Sequence, residues 1–247
     1  MLALCLETST YEASVALAEG GEVLAEERFP GYTDLNRGFA LRIRGLLEKF
    51  SLSPGDLGLV AVSQGPGFFT SLRVGVAVAK ALAHALKTRL VAVPTLWLYA
   101  ASWGKRKEEV LLTAHPANAR EAFLAVFVPG ESPKPKASDK EALLSGLSGA
   151  ILASGPVQAK EPSKDLLSPE VEGKRVVVCG PFAERIFKAL RGVEARVEGS
   201  LSCPPISALA ALAAGLAEAG RFDDPKGLKP LYFSPSQAER TYGVRVT

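Results

Sequence analysis

The chain has 247 residues, 47% of them apolar and 22% charged, with 29 basic against 26 acidic side chains and a net charge of +3. That length holds one large or two modest domains, and 23 Gly with 17 Pro, scattered along the chain, exclude a disordered or collagen-like polymer. The mild positive charge permits contact with a nucleic acid without announcing one. No basic n-region opens the chain and no stretch reaches the ~18 uncharged apolar residues of a membrane helix. A soluble, cytoplasmic protein without membrane contact is expected.

The first sixty residues alternate with period 2 between turn signals. Leu2–Glu7, Ala13–Glu19 and Val23–Phe29 read as three strands of an antiparallel meander, the last two joined at Gly20-Gly21. Thr33–Phe50 then turns helical, with Thr33 as N-cap and Leu35, Phe39, Ile43, Leu46, Leu47 and Phe50 on one stripe. Leu59–Ser63 is a buried strand broken by Gln64-Gly65-Pro66-Gly67, Thr70–Leu86 a long helix, and Leu90–Val93 a strand closed by Pro94.

A looser copy of the pattern follows. Val110–Ala114 and Ala122–Val128 are strands, Pro129–Asp139 a loop and Asp139–Leu147 a short helix. Val176–Cys179 is a strand, Phe182–Leu190 a helix, Ile206–Ala219 an Ala-rich helix ended by Gly220, and Leu231–Phe233 a short strand or docked tail. The order βββαβαβ, then a second version, describes two α/β lobes meeting near residues 94–108. We expect an N-terminal lobe 1–98, a C-terminal lobe 99–205 and a tail 220–247, with helix 206–219 free to return to the first lobe.

Metal and hydrolase chemistry find little footing. Cys5, Cys179 and Cys203 are far apart and form no CxxC, and His84 and His115 form no short-spaced pair. No HExxH or GxSxG occurs. Cys5 and Cys179 sit in apolar runs, as small buried thiols do. Neither a catalytic residue nor a metal ligand nor a cofactor is assigned. Two segments suit anions: the hairpin turn Glu7-Thr8-Ser9-Thr10, whose N–H groups and hydroxyls can hold phosphate oxygens, and Gly65-Pro66-Gly67-Phe68-Phe69-Thr70, which ends at a helix N-terminus but is no Walker loop. An ordinary polar turn and a tight strand-to-helix connection are the plain alternatives.

The two long N-terminal helices are more informative. Gly38 and Gly45 lie one heptad apart, opposite the core stripe and flanking Leu41. Each mid-helix glycine costs roughly 0.5–1 kcal/mol relative to alanine, which suits the close approach of another helix. In the second helix Val74, Val78, Ala81, Leu82 and Ala85 form the expected core face, with Gly75, Ala79 and Ala83 as a small-residue groove along its flank. The remaining face carries Arg73, Val76, Ala77, Lys80, His84 and Lys87. It is either a solvated basic face or part of a helix-pair docking surface. Arg37, Gly38, Leu41, Gly45, Arg73, Val76, Ala77 and Lys80 make up the expected contact set.

The segments LALCLETSTYEASVAL, AVSQGPGFFTSLRVGVAVAKALA and VAVPTL closely resemble the YeaZ/TsaB family. The likeness covers the first hundred residues, with weaker echoes at residues 119–123, Cys179-Gly180-Pro181 and Pro230-Leu231-Tyr232. It implies a two-lobed ASKHA fold, the actin, sugar-kinase and Hsp70 architecture, each lobe a mixed sheet flanked by helices. It also implies a role in making N6-threonylcarbamoyladenosine at position 37 of tRNA. Members of the family act as noncatalytic partners of a related TsaD subunit, together with a TsaE ATPase, and form homodimers in isolation. Their first two helices carry both contacts.

Departures from an active ASKHA site bear on mechanism. Phosphoryl transfer needs carboxylates to hold Mg²⁺ or activate a nucleophile. Here Glu7 replaces the usual Asp, His115-Pro116-Ala117-Asn118 stands where an acidic residue is common, and Gly180 is followed by Pro181 and Phe182. The resemblance thus implies a degenerate nucleotide site at Glu7, Thr8, Ser9, Thr10 and Gly180, and tRNA reached through the complex. The rivals are an active ATPase or small-molecule kinase using Glu7, Thr8 and Glu121, and a metalloprotease, which lacks ligands.

Overall fold

The computed structural model describes residues 1–103, 108–117, 121–127, 157–158, 173–190 and 193–231, without the side chains at 32–34, 36–37 and 157–158. The expected loop 129–139 and helix 139–147 lie outside the described residues, as do positions 118–120, 232 and 233.

Strands β1 (Leu2–Glu7), β2 (Glu12–Glu19) and β3 (Glu22–Pro30) form the antiparallel meander, and β4 (Leu59–Gly65) and β5 (Arg89–Pro94) extend it in parallel from β1, giving the order β3-β2-β1-β4-β5. The second sheet repeats this strand for strand. Strands β6 (Glu109–Pro116), β7 (Glu121–Phe127) and β8 (Val157–Gln158) pair antiparallel, while β9 (Arg175–Cys179) and β10 (Ala195–Val197) run parallel beyond β6, in the order β8-β7-β6-β9-β10. The fold is a two-lobed α/β structure with one mixed five-stranded sheet in each lobe.

Period-2 alternation assigns each strand residue to one of two faces. In β1, Leu4 and Leu6 join Val60 and Val62 of β4 beneath the helices α1 (Gly31–Lys49) and α2 (Phe69–Leu86). Ala3 and Cys5 point the other way, with Ala16, Ala18 and Ala61, toward α3 (Thr95–Ser102) and α5 (Ile206–Glu218). Leu111, Ala125, Val177 and Cys179 of the second sheet meet the same cluster, so α3 and α5 form the layer between the lobes. The small residues on this face let the Ala-rich α5 lie close. The far face of the second sheet, with Val110, Leu112, Val176 and Val178, is covered by α4 (Ala183–Ala189).

Two expectations are corrected. Helix α1 starts at Gly31 with Pro30 as cap and no side-chain cap bond, so Thr33 is not the N-cap. The start is pinned instead to the first hairpin: Gly31 N–H donates to Tyr11 O at 2.7 Å, and a Cβ on Gly31 would lie 3.1 Å from Thr10 O. In α2 the inward stripe is Leu72, Gly75, Val76, Ala79 and Ala83, while Val74, Val78 and Leu82 are half-buried and Ala81 and Ala85 exposed. Small side chains won the inner face because the helix lies close on β4 and β1. By length and composition α2 could also cross a bilayer, although its inner stripe packs into the core of the first lobe.

Candidate functional site

The turn Glu7-Thr8-Ser9-Thr10 is buried, with at most 2% of any of the four residues exposed. The Ser9 amide and the Ser9 and Thr10 hydroxyls are already engaged. Ser9 N–H donates to Glu7 Oε1 at 2.6 Å and Ser9 Oγ to the same oxygen at 2.5 Å. Ser9 O accepts from Phe68 N–H at 2.9 Å, and Thr10 Oγ1 donates to Glu12 O at 2.7 Å. The extra methylene of Glu7 lets its carboxylate fold back onto the turn's own amide, the position an anion would take.

Close approach locks the turn in place. A Cβ on Gly67 would lie 2.5 Å from Ser9 O, and one on Gly75 only 2.1 Å from Thr8 Oγ1. Gly67 thus brings the β4–α2 loop onto the hairpin, while Gly65, at φ +108°, packs against Leu72 and Leu231. Glu7 Oε2, Thr8 Oγ1 and the nearby Ser63 Oγ are buried without a well-aligned partner. Burial pushes the Glu7 carboxyl above the usual carboxylate range, while Ser9 and Ser63 pull it the other way.

A polar chain crosses between the lobes. His115 Nε2 lies 3.3 Å from Ser9 O, and Tyr99 OH lies 3.1 Å from His115 Nδ1. A carbonyl only accepts, so Nε2 carries the proton and Nδ1 accepts from the Tyr99 hydroxyl. Burial pushes the imidazole down to about 4, which keeps this neutral tautomer. Gly180 joins the second lobe at the next residue of β6: a Cβ there would stand 2.7 Å from Ala114 O, and its N–H donates to Leu201 O at 2.8 Å. The end of β6 thus meets the first hairpin at Ser9, through His115, and Gly180, against Ala114.

Tyr99 and His115 are not legible as a pair in the sequence. Glu109, Thr113 and His115 are the polar members of β6 on the side of Leu111, and that alternation was the available signal. Glu121 begins β7, opposite Gln158. Among the described residues, no three His, Cys, Asp or Glu side chains gather to hold a metal.

Comparison with known proteins fits these features. The family model described as "TsaD: tRNA N6-adenosine threonylcarbamoyltransferase" matches residues 39–120. The tRNA threonylcarbamoyladenosine biosynthesis protein TsaB of Bacillus subtilis is 34% identical over 106 residues, 41% of this chain and 44% of that protein. Its Escherichia coli counterpart is 27% identical over 205 residues, 74% of this chain and 88% of that protein. The solved YeaZ from Pseudomonas aeruginosa superposes with a TM-score of 0.68 at 21% identity, covering 94% of this chain and 99% of that one. The chain is similar to proteins of the YeaZ/TsaB family, and it spans less than half the length of the Bacillus relative.

The helix residues singled out for contact separate into groups. Leu41 is 59% exposed between two glycines that have no internal reason to be glycine: a Cβ on Gly45 meets nothing within 4 Å, and one on Gly38 meets only Arg42 Nε at 3.5 Å. Arg73 is exposed with its guanidinium 3.7 Å from the Phe69 ring centroid, and Ala77 is exposed. Val76, by contrast, is 2% exposed and belongs to the core. Lys80 Nζ donates to Leu228 O at 2.8 Å, so its head group is committed to its own chain. The side chain of Arg37 lies outside the described residues.

Proposed function

We propose that this chain is a noncatalytic partner subunit that docks through the outer face of α1 and the exposed flank of α2 onto a related TsaD-like transferase. In that role it supports formation of N6-threonylcarbamoyladenosine in tRNA, in the cytoplasm, with a TsaE-like ATPase as a further member of the assembly. Alone, the same face would pair with a second copy. The observation that carries this reading is Leu41, exposed between two glycines whose Cβ positions are open. A helix gains nothing for itself from either glycine, whereas a second helix needs the room.

The occupied turn supports the noncatalytic half of the reading. The Ser9 amide and hydroxyl that would hold a phosphate oxygen are spent on Glu7 Oε1. The names of the Bacillus and Escherichia relatives support the pathway. The contact set retained is Gly38, Leu41, Gly45, Arg73 and Ala77.

The test combines the chain with a TsaD-like transferase, a TsaE-like ATPase, threonylcarbamoyl-AMP and unmodified tRNA. Modification should require this chain, survive Glu7→Gln and be lost in Leu41→Glu, whose circular dichroism stays native. Comigration with the transferase should be lost in parallel. Mg-ATP turnover by the isolated chain that Glu7→Gln abolishes would sink the reading in favour of an ATPase.

A further inference from the structure

After α5, residues 221–231 run back across the first lobe as a strap. Asp223 N–H donates to Leu90 O at 2.7 Å and Ala92 N–H to Asp223 Oδ2 at 2.8 Å, closing the outer edge of β5. Leu228, 1% exposed, plugs the core, and Lys80 holds its carbonyl. Gln64 fastens the end: its Nε2 donates to Lys229 O at 2.8 Å, and its carbonyl accepts from Leu231 N–H at 2.8 Å. The strap is therefore a fixed surface.

Its charge is lopsided. Residues 57–107, 51 in a row, contain no Asp or Glu, although the whole chain holds 26 of them against 29 Lys and Arg. From that stretch Lys80 and Arg89 lie against the strap, which adds Arg221, Lys226 and Lys229. The two carboxylates of the strap are turned to backbone donors: Asp223 to Ala92, and Asp224 to Lys226 N–H at 3.0 Å and Gly227 N–H at 3.1 Å. Phe222 is 41% exposed, with the Arg89 guanidinium 4.8 Å from its ring centroid.

We propose that this face, built from the strap, α2 at Lys80 and the start of β5, binds the phosphate backbone of a folded RNA, with Phe222 placed to stack on an unpaired base. Several cations on one face complement a phosphate backbone, and an aromatic ring beside a guanidinium is a common platform for a base. A membrane surface fits less well, because Phe222 stands alone and no apolar face accompanies the cations. The inference deepens the tRNA reading above by giving this chain its own RNA contact.

The isolated full chain is titrated into a labelled, unmodified tRNA transcript, with anisotropy read across a salt series. Wild-type binding should weaken steeply with salt. The triple variant Arg89→Ala, Lys226→Ala, Lys229→Ala should bind roughly tenfold or more weakly and flatten the log–log salt slope by about 2–3, one increment per lost phosphate contact. Phe222→Ala should weaken a single-stranded probe more than a duplex. A charge-matched control, Arg44→Ala, Lys49→Ala, Lys188→Ala, should bind like the wild type. Equal losses in both triples, or no loss in the first with its thermal unfolding unchanged, would overturn the inference. So would binding to phosphatidylserine vesicles without binding to the transcript. No partner is needed for this readout, so its failure is separate from failure of the scaffold reading.

Discussion

Gly75 of α2 and Thr8 of the first hairpin share one space: a Cβ on Gly75 would fall 2.1 Å from Thr8 Oγ1 and 3.0 Å from its Cγ2. The glycine sets how deeply α2 sits on the hairpin. Both residues are buried and the contact is rigid backbone against a branched side chain, so the clash has no cheap escape. Gly75→Ala should therefore destabilise by about 1–3 kcal/mol in urea denaturation. Thr8→Ala removes the two nearest atoms and leaves only its Cβ, a tight 3.1 Å from the added methyl. The double variant should recover most of the loss, and a purely additive cycle would refute the shared-space account.

Glu7 gives the site a pH signature. Burial raises its carboxyl above the usual range, so relative to the unfolded chain the folded state favours the protonated form. Its contribution to stability is fully present below the unfolded carboxylate value and is lost as the pH rises through the folded value. Glu7→Gln removes that loss while its amide oxygen still accepts from Ser9 and its NH₂ faces Ser63. The variant should gain in Tm over the wild type at pH 8 and lose that advantage near pH 4. An equal shift at both pH values would contradict this assignment.

His115 acts in the opposite sense. Its folded value of about 4 lies below the ordinary imidazole value of 6.5, so the stability it contributes is present above about pH 6.5 and is lost as the pH falls toward 4. Over that window the change amounts to about 3 kcal/mol. The loss has a structural meaning, since a proton on Nδ1 breaks the acceptance from Tyr99 and places a charge between the lobes. Urea midpoints measured with Glu7→Gln as background should fall between pH 7 and 4.5. Adding His115→Gln should flatten that fall, and an unchanged slope would place the titration elsewhere.

What was legible in the sequence follows from where periodic signals exist. Strand β3 and the stripe Leu35, Phe39, Ile43, Leu46, Leu47 of α1 alternate with solvent, and β1, β2, β4 and β5 are apolar runs bounded by turn residues, so all of these read directly. Helix α3 did not, because Thr95 to Ala100 are all buried: a segment apolar on every side shows no amphipathic period. The strands β8 and β10, of two and three residues, are too short to alternate. In α2 the bulkier Val74, Val78 and Leu82 looked like the core, but a helix seated closely on a sheet selects for small residues, so the face was rotated. The candidate hairpin was legible as a turn. That Glu7 occupies its own anion position depends on a side-chain conformation, which no spacing rule reports.

Gly45 separates folding from docking in one substitution. Its Cβ position is open on the exposed side of α1, with nothing within 4 Å. Within the monomer, Gly45→Ala should stabilise by about 0.5–1 kcal/mol, because alanine loses less backbone freedom in a helix interior. If a second helix approaches α1 here, the added methyl opposes it, and Gly45→Leu opposes it more. The expected pair of results is a higher Tm for the isolated chain together with weaker sedimentation-detected dimerisation and weaker binding to the transferase, graded from Ala to Leu. A substitution that raises Tm and leaves both associations intact would remove the glycines from the docking surface, leaving Leu41 as an isolated exposed side chain.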